Sequence, residues 1–126
     1  MPVRSVLIVD DNPAIRKIVS VLLTSEGDFE VCGQAENGHD AIEKAQLLRP
    51  ALIVTDLSMP VMNGLEETRI LKKLMPAVPV IMYSAHTDSF VEEEALAAGA
   101  SAVVSKYESV AGLVGKAREL LGKIAA

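Results

Sequence analysis

The sequence has no tryptophan, two tyrosines, two phenylalanines and a single cysteine. With so few rings, a core has to be built from Val, Ile, Leu, Met and Ala. The lone thiol, Cys32, cannot close an intrachain disulfide, so a disulfide-stapled scaffold is excluded and a reducing cytoplasm is the expected location. Cys32 lies in an apolar stretch and reads as a structural thiol rather than a reactive one. No apolar run approaches the roughly 20 residues that a bilayer span needs, so no membrane partner is expected. The stretch from Met1 to Asp10 ends in acid, unlike a signal peptide. Excess positive charge is lacking as well: the formal charge is −5, which argues against nucleic acid as a direct partner. Strict repeats and low-complexity segments are also missing.

What remains is a chain of 126 residues, half of them hydrophobic and 23% charged. That is enough for one core, and residues 1–126 are expected to form one domain. Short apolar runs alternate with longer helical patterns. Strands are expected at Ser5–Val9, Glu30–Ala35, Leu52–Thr55, Val80–Tyr83 and Ala102–Ser105; most are unbroken apolar runs, as in parallel strands covered on both faces. Between them, Ile15, Ile18, Val19, Leu22 and Leu23 form a helical stripe, with Asn12 as N-cap and Pro13 at the first helical position. Ala41, Ile42, Ala45 and Leu48 form a second stripe, closed by Pro50. Ile70, Leu71 and Leu74 form a third, ending before Pro76. Ser89 with Glu92 reads as a capping box for a fourth. Val110, Leu113, Val114, Ala117, Leu120, Leu121 and Ile124 form the fifth.

This order is (βα)₅: an α/β fold with a five-stranded parallel sheet and helices on both faces. Ligands of such sheets bind beyond the carboxyl ends of the strands, and the chemistry-bearing residues fall there. Asp10 and Asp11 follow the first strand, Asp56 the third, Ser84 the fourth and Lys106 the fifth. Three carboxylates on one rim repel each other unless a cation neutralises them. Hard oxygen donors in this number favour Mg²⁺, and a divalent cation with one lysine balances the three acids. Taken singly, each residue has a plainer reading. Asp11 fits a helix cap, Asp56 a turn, Lys106 a solvated surface, and Ser84 means little. Their shared position at the ends of different strands is what points to one site.

Together, Ile8-Val9-Asp10-Asp11-Asn12, Asp56-Leu57-Ser58-Met59-Pro60 with Gly64, Tyr83-Ser84-Ala85, Gly99-Ala100 and Lys106 resemble the receiver domains of bacterial two-component response regulators. The resemblance implies a flavodoxin-like strand order of 2-1-3-4-5. It implies that Asp56 accepts a phosphoryl group from the phosphohistidine of a sensor histidine kinase or phosphotransfer protein, or from a small phosphodonor. It further implies Mg²⁺ held by Asp10, Asp11, Asp56 and the backbone carbonyl of Ser58, with Lys106 and the Ser84 hydroxyl meeting phosphoryl oxygens. The chain would then be a signalling module, catalysing no reaction beyond its own phosphorylation and dephosphorylation. Its output would pass through the face of the fourth helix, fifth strand and fifth helix, with homodimerisation as one form of it. Pro60 would stiffen the loop after Asp56, and Gly64 would supply backbone angles closed to other residues.

Three positions depart from the family pattern. Tyr107 stands where a proline usually follows the lysine after a cis bond. A non-proline cis bond costs about 2.5–4 kcal/mol, yet a cis Lys106–Tyr107 bond is expected because the lysine's placement depends on it. Val103 replaces the usual aromatic switch residue, leaving Tyr83 and Tyr107 as substitutes or as ordinary packing. Gly112 and Gly115 interrupt the last helix, costing roughly 1 kcal/mol each. His86 and His39 read as loop and surface residues.

Other functions fit less well. A haloacid dehalogenase-like phosphohydrolase would need a second acid where Ser58 stands, and a cap. A flavodoxin would need a phosphate loop where Asp10 and Asp11 stand. A receiver that no longer phosphorylates conflicts with the intact acidic set. The segment Val31–Ala35 followed by Asn37-Gly38 resembles receivers that precede a helix-turn-helix effector, but fold resemblance does not identify an output.

Overall fold

Branched apolar runs build the sheet. In the computed structural model, which describes residues 3–85, 88–107 and 110–125, they form β1 (Arg4–Val9), β2 (Phe29–Ala35), β3 (Leu52–Thr55), β4 (Val80–Ser84) and β5 (Ala102–Ser105). The helices between them are α1 (Pro13–Ser25), α2 (Gly38–Leu48), α3 (Gly64–Leu74), α4 (Ser89–Ala98) and α5 (Val110–Ala125). The strands are parallel and ordered β2-β1-β3-β4-β5. The expected alternation, strand order and flavodoxin-like architecture are therefore present, with boundaries moved by a residue at β1, β2 and β4.

Alternate side chains of each strand point to opposite faces, so each strand feeds two cores. Val6, Ile8, Leu52, Val54, Ile81 and Tyr83 pack against Val19 and Leu23 of α1 and Leu113, Val114, Ala117 and Leu121 of α5. Leu7, Val9, Ile53 and Val80 pack against Ala41 and Ala45 of α2 and Leu71 of α3. Burying one such Leu or Ile contributes about 1.5–3 kcal/mol. Small alanines on α2 bring that helix close to the sheet, the solution a ring-poor sequence requires. The side chains of Val110 and Ile124 lie outside the described residues.

Several helix details differ from the sequence-based expectations. Ile18, Leu22, Leu48 and Leu74 belong to the stripes but are exposed, because each helix turns a narrower face inward than its apolar residues span. The buried face of α3 runs through Gly64, Glu67, Thr68 and Leu71 instead. Asn12 caps α1 as expected, accepting from Ala14 N at 2.9 Å, with Pro13 opening the helix. The cap of α4 is Asp88 and not Ser89: its carboxylate accepts from Val91 N at 2.9 Å. An acid there satisfies the free amide and also meets the positive helix end.

Cys32 sits at a break in register. Val6 pairs with Val31 while Leu7 pairs with Gly33, so Cys32 is the extra residue of a bulge in β2. Its thiol is half-buried, donates to Val6 O at 3.5 Å, and is pushed up in pKa by burial. A raised pKa keeps it a thiol, in keeping with a structural role. Gly115 has open space around the position of a Cβ. Among the described residues, no helix is long and apolar enough to cross a membrane.

Candidate functional site

The parallel sheet brings the ends of β1, β3, β4 and β5 to one rim. There the chain hands over from sheet ladder to loop: Asp10 N still donates to Ala35 O at 3.1 Å, Asp56 N to Val9 O at 2.9 Å, and Lys106 N to Ser84 O at 2.9 Å. Each bond ties the residue's own amide to the neighbouring strand, so the site is built on the rigid edge and not on free loops. Asp10, Asp56 and Ser84 are buried; Asp11 is exposed.

Carboxylate oxygens of Asp10, Asp11 and Asp56 lie within 4.8 Å of one another. Asn12, not Asp11, caps α1, which leaves Asp11 without the capping duty that was its alternative reading. Lys106 reaches into the cluster, with Nζ 2.7 Å from Asp10 Oδ2 and 3.2 Å from Asp56 Oδ2. The remaining oxygens are held by main chain: Asn12 N donates to Asp10 Oδ1 at 2.9 Å, and Leu57 N to Asp56 Oδ1 at 2.8 Å. Each buried acid is thus gripped on one oxygen by an amide and on the other by the ammonium.

The charges set one another's affinity for protons. Burial raises the pKa of Asp56, the nearby Asp10 raises it further, and Lys106 partly offsets both. Burial pulls Lys106 down, but its bond to Asp10 and the attraction of Asp56 and Asp10 outweigh that and hold it above the usual lysine value. A second cation beside these three acids would be favoured on charge grounds, and the donor set is entirely hard oxygen, which fits Mg²⁺.

The Lys106–Tyr107 bond is trans, as no peptide bond among the described residues is cis. The expected cis bond is therefore corrected. The lysine stem spans the distance to Asp10 and Asp56 from a trans backbone, so the 2.5–4 kcal/mol of a non-proline cis bond is never incurred.

Gly64 also needs a different explanation from backbone angle, since its φ is not positive; among the described glycines only Gly27 and Gly99 have positive φ. A Cβ on Gly64 would lie 2.1 Å from the carbonyl oxygen of Asp56. The glycine is required by close approach: α3 begins directly against the peptide of Asp56. The left-handed residue in this loop is Val61, at φ 69°.

Val103 is half-buried against Met82, Ala95 and Ala100. Tyr83 is buried in the core shared with α1 and α5, whereas Tyr107 is 85% exposed. His39 is exposed, 4.0 Å from Glu43, and His86 lies outside the described residues.

Three polar residues around the site went unread in the sequence. Arg16 donates to Asp10 O at 2.6 Å and to Gln34 Oε1 at 3.3 Å, tying α1 to the ends of β1 and β2. Thr55 and Glu67 meet beneath Asp56: the Thr55 hydroxyl lies 2.7 Å from Glu67 Oε1 and 3.2 Å from Asp56 O. Glu67 precedes Leu71 by one helical turn, and that spacing was the available signal.

The response regulator receiver domain model matches residues 6–118. A protein-glutamate methylesterase/protein-glutamine glutaminase of a Nocardioides strain is 44% identical over 121 residues, which is 94% of this chain and 33% of that protein. The transcriptional regulatory protein LnrK of Bacillus subtilis is 37% identical over 101 residues, 80% of this chain and 46% of that protein. The crystal structure of the response regulator domain of Thermotoga maritima CheB superposes with a TM-score of 0.88 at 32% identity, covering 95% of this chain and 97% of that one. The chain spans about a third of the length of such methylesterase relatives. By the family match, the strand order and the placement of its acids, the chain belongs to the response regulator receiver domains.

Proposed function

We propose that this receiver is a phosphoacceptor and that Asp56 takes the phosphoryl group from a phosphohistidine on a sensor histidine kinase or phosphotransfer protein. The observation that carries this is the convergence of three carboxylates within 4.8 Å, with Lys106 on two of them at 2.7 and 3.2 Å. An Asp56 oxygen attacks phosphorus in line, the P–N bond to the donor histidine breaks, and the electron pair leaves with the imidazole. Asp10, Asp11, Asp56 and the Ser58 carbonyl would hold Mg²⁺, which neutralises phosphoryl charge when bound.

The protein's own groups prepare the rest. Leu57 N holds one Asp56 oxygen in place and leaves the other on the Lys106 side. As charge moves from Asp56 to the phosphoryl oxygens, Lys106 follows it by exchanging a carboxylate for a phosphoryl partner. Ser84, wholly buried at the end of β4, supplies a hydroxyl to another phosphoryl oxygen. New acceptor oxygens on Asp56 thereby draw β4 and β5 residues inward, which is the local event that an output surface can read. The chain in this reading is a cytoplasmic signalling module that acts on itself alone. Similarity to methylesterase and transcription-regulator chains alike supports a receiver whose output is carried elsewhere.

Incubation with Mg²⁺ and a small phosphodonor, read by intact mass, tests the proposal. Wild type should gain one phosphoryl group and Asp56→Asn none. Equal uptake by both would refute it.

A further inference from the structure

We propose that Glu67 is a positioning residue for Asp56, acting as a neutral carboxylic acid through the Thr55 hydroxyl. The inference rests on the phosphoacceptor reading and deepens it.

Glu67 has no exposed surface. It lies on the inner face of α3, one turn after Gly64, where α2 also closes over it. A Cβ at Gly38 would sit 3.0 Å from Glu67 Cβ. Among the described residues it has no ion-pair partner, and its Oε2 has no hydrogen-bond partner. Among the described residues its one side-chain hydrogen bond is with Thr55, at 2.7 Å from Oε1. An ionised carboxylate held this way would be buried with a single neutral donor and no cation, an arrangement proteins avoid by keeping the proton. Burial accordingly pushes the Glu67 carboxyl up to about 8.

The proton has one place that satisfies the neighbourhood. The Thr55 hydroxyl lies within reach of two acceptors, Glu67 Oε1 at 2.7 Å and Asp56 O at 3.2 Å, and one hydroxyl hydrogen serves one of them. With the proton on Oε1, Glu67 donates to Thr55, and Thr55 donates onward to the Asp56 carbonyl. Both bonds are then made in a fixed direction. With Glu67 ionised, the Thr55 hydrogen turns to the carboxylate and the Asp56 carbonyl loses its side-chain donor.

The first turn of α3 therefore grips the Asp56 peptide twice: by direct contact at Gly64 and through Thr55 at Glu67. The role differs from that of Asp10, Asp11 and Lys106, since Glu67 touches neither the phosphoryl group nor the ammonium. It fixes the backbone from which the nucleophile projects. Orientation of an attacking group is a recognised part of the barrier to in-line transfer.

The test compares wild type with Glu67→Gln, Glu67→Leu, Thr55→Val and the Thr55→Val/Glu67→Leu pair, all checked for folding by thermal denaturation. The first readout is the rate of phosphorylation by a small phosphodonor with Mg²⁺. Glutamine can donate to Thr55, so Glu67→Gln should stay within about twofold of wild type. Glu67→Leu and Thr55→Val should each slow phosphorylation about three- to tenfold, the worth of one net hydrogen bond. The pair should lose no more than the worse single change, because both break one chain of bonds. The second readout is the carbonyl ¹³C resonance of Asp56, which should move in the leucine and valine variants and stay in the glutamine variant. A folded Glu67→Leu or Thr55→Val protein with the wild-type rate and an unmoved Asp56 resonance would overturn the inference. No phosphorylation of wild type would instead overturn the phosphoacceptor reading, and the resonance would still decide the role of Glu67.

Discussion

Lys106 Nζ lies 2.7 Å from Asp10 Oδ2, joining two residues 96 positions apart in sequence. The Asp10 side chain is 4% exposed and that of Lys106 is 17% exposed, so this pair stands in a poorly solvated setting. Removing the ammonium leaves Asp10 facing Asp56 with nothing between them. Lys106→Met should lower metal-free stability by about 1–3 kcal/mol at neutral pH, the cost of stranding buried charge. Urea denaturation checks this. Tyr107→Ala, next in the chain but 85% exposed, should change stability by no more than about 0.5 kcal/mol.

Gly64→Ala should be the most damaging small change near the site. Its Cβ would fall 2.1 Å from the Asp56 carbonyl oxygen, against backbone that has no freedom to yield. Overpacking of this kind costs about 1–3 kcal/mol. Because the displaced group is the Asp56 peptide, phosphorylation should slow more than the stability loss alone implies. Denaturation and phosphodonor kinetics on the same preparation separate the two.

Glu67 makes stability depend on pH. Its carboxyl has an ordinary value of 4.5 in the unfolded chain and about 8 in the folded one. Between these values the folded state binds more protons, so stability falls as pH rises from about 4.5 to about 8. At pH 7 the accumulated cost from this one group is roughly 3 kcal/mol. Glu67→Leu should flatten the profile between pH 5 and 8 and raise stability at pH 7, as expected when a buried ionisable group gives way to an apolar one. A leucine variant with an unchanged profile would show that Glu67 titrates normally.

Two positions are open to stabilisation. Val61 holds φ 69° while 81% exposed, so it bears the strain of a β-branched residue in the left-handed region with little packing in return. Val61→Asn should gain about 1 kcal/mol. Gly115 is helical with open space at its Cβ position, and Gly115→Ala should gain about 0.5–1 kcal/mol. Melting temperature reads both.

The fold and the rim of acids were legible because they depend on short-range patterns that survive without contacts. Unbroken apolar runs marked the strands, and Asp10, Asp11, Asp56, Ser84 and Lys106 declared themselves by following those runs. What was not legible depends on distances across the fold. Gly64 could be seen as a special glycine, but a turn angle and a steric contact with Asp56 look the same in sequence. Ser89 and Asp88 are both good caps, and only the geometry of Val91 N separates them. The trans bond at Lys106 is the ordinary state of a non-proline peptide, and that the lysine still reaches Asp10 from it is a distance the motif does not state. Glu67 drew no attention in the sequence because an acid within an amphipathic helix is ordinarily solvated. Its burial requires Thr55 of β3 and Gly38 of α2 to meet around it, residues 12 and 29 positions away in sequence.

Reduction of the phosphorylated protein with borohydride, followed by peptide mapping, tests the central claim most directly. An acyl phosphate on a side-chain carboxyl is reduced to the alcohol, which marks the residue that carried it. The account predicts homoserine at position 56 alone. Homoserine at Asp10, Asp11 or elsewhere, with Asp56 intact, would contradict it.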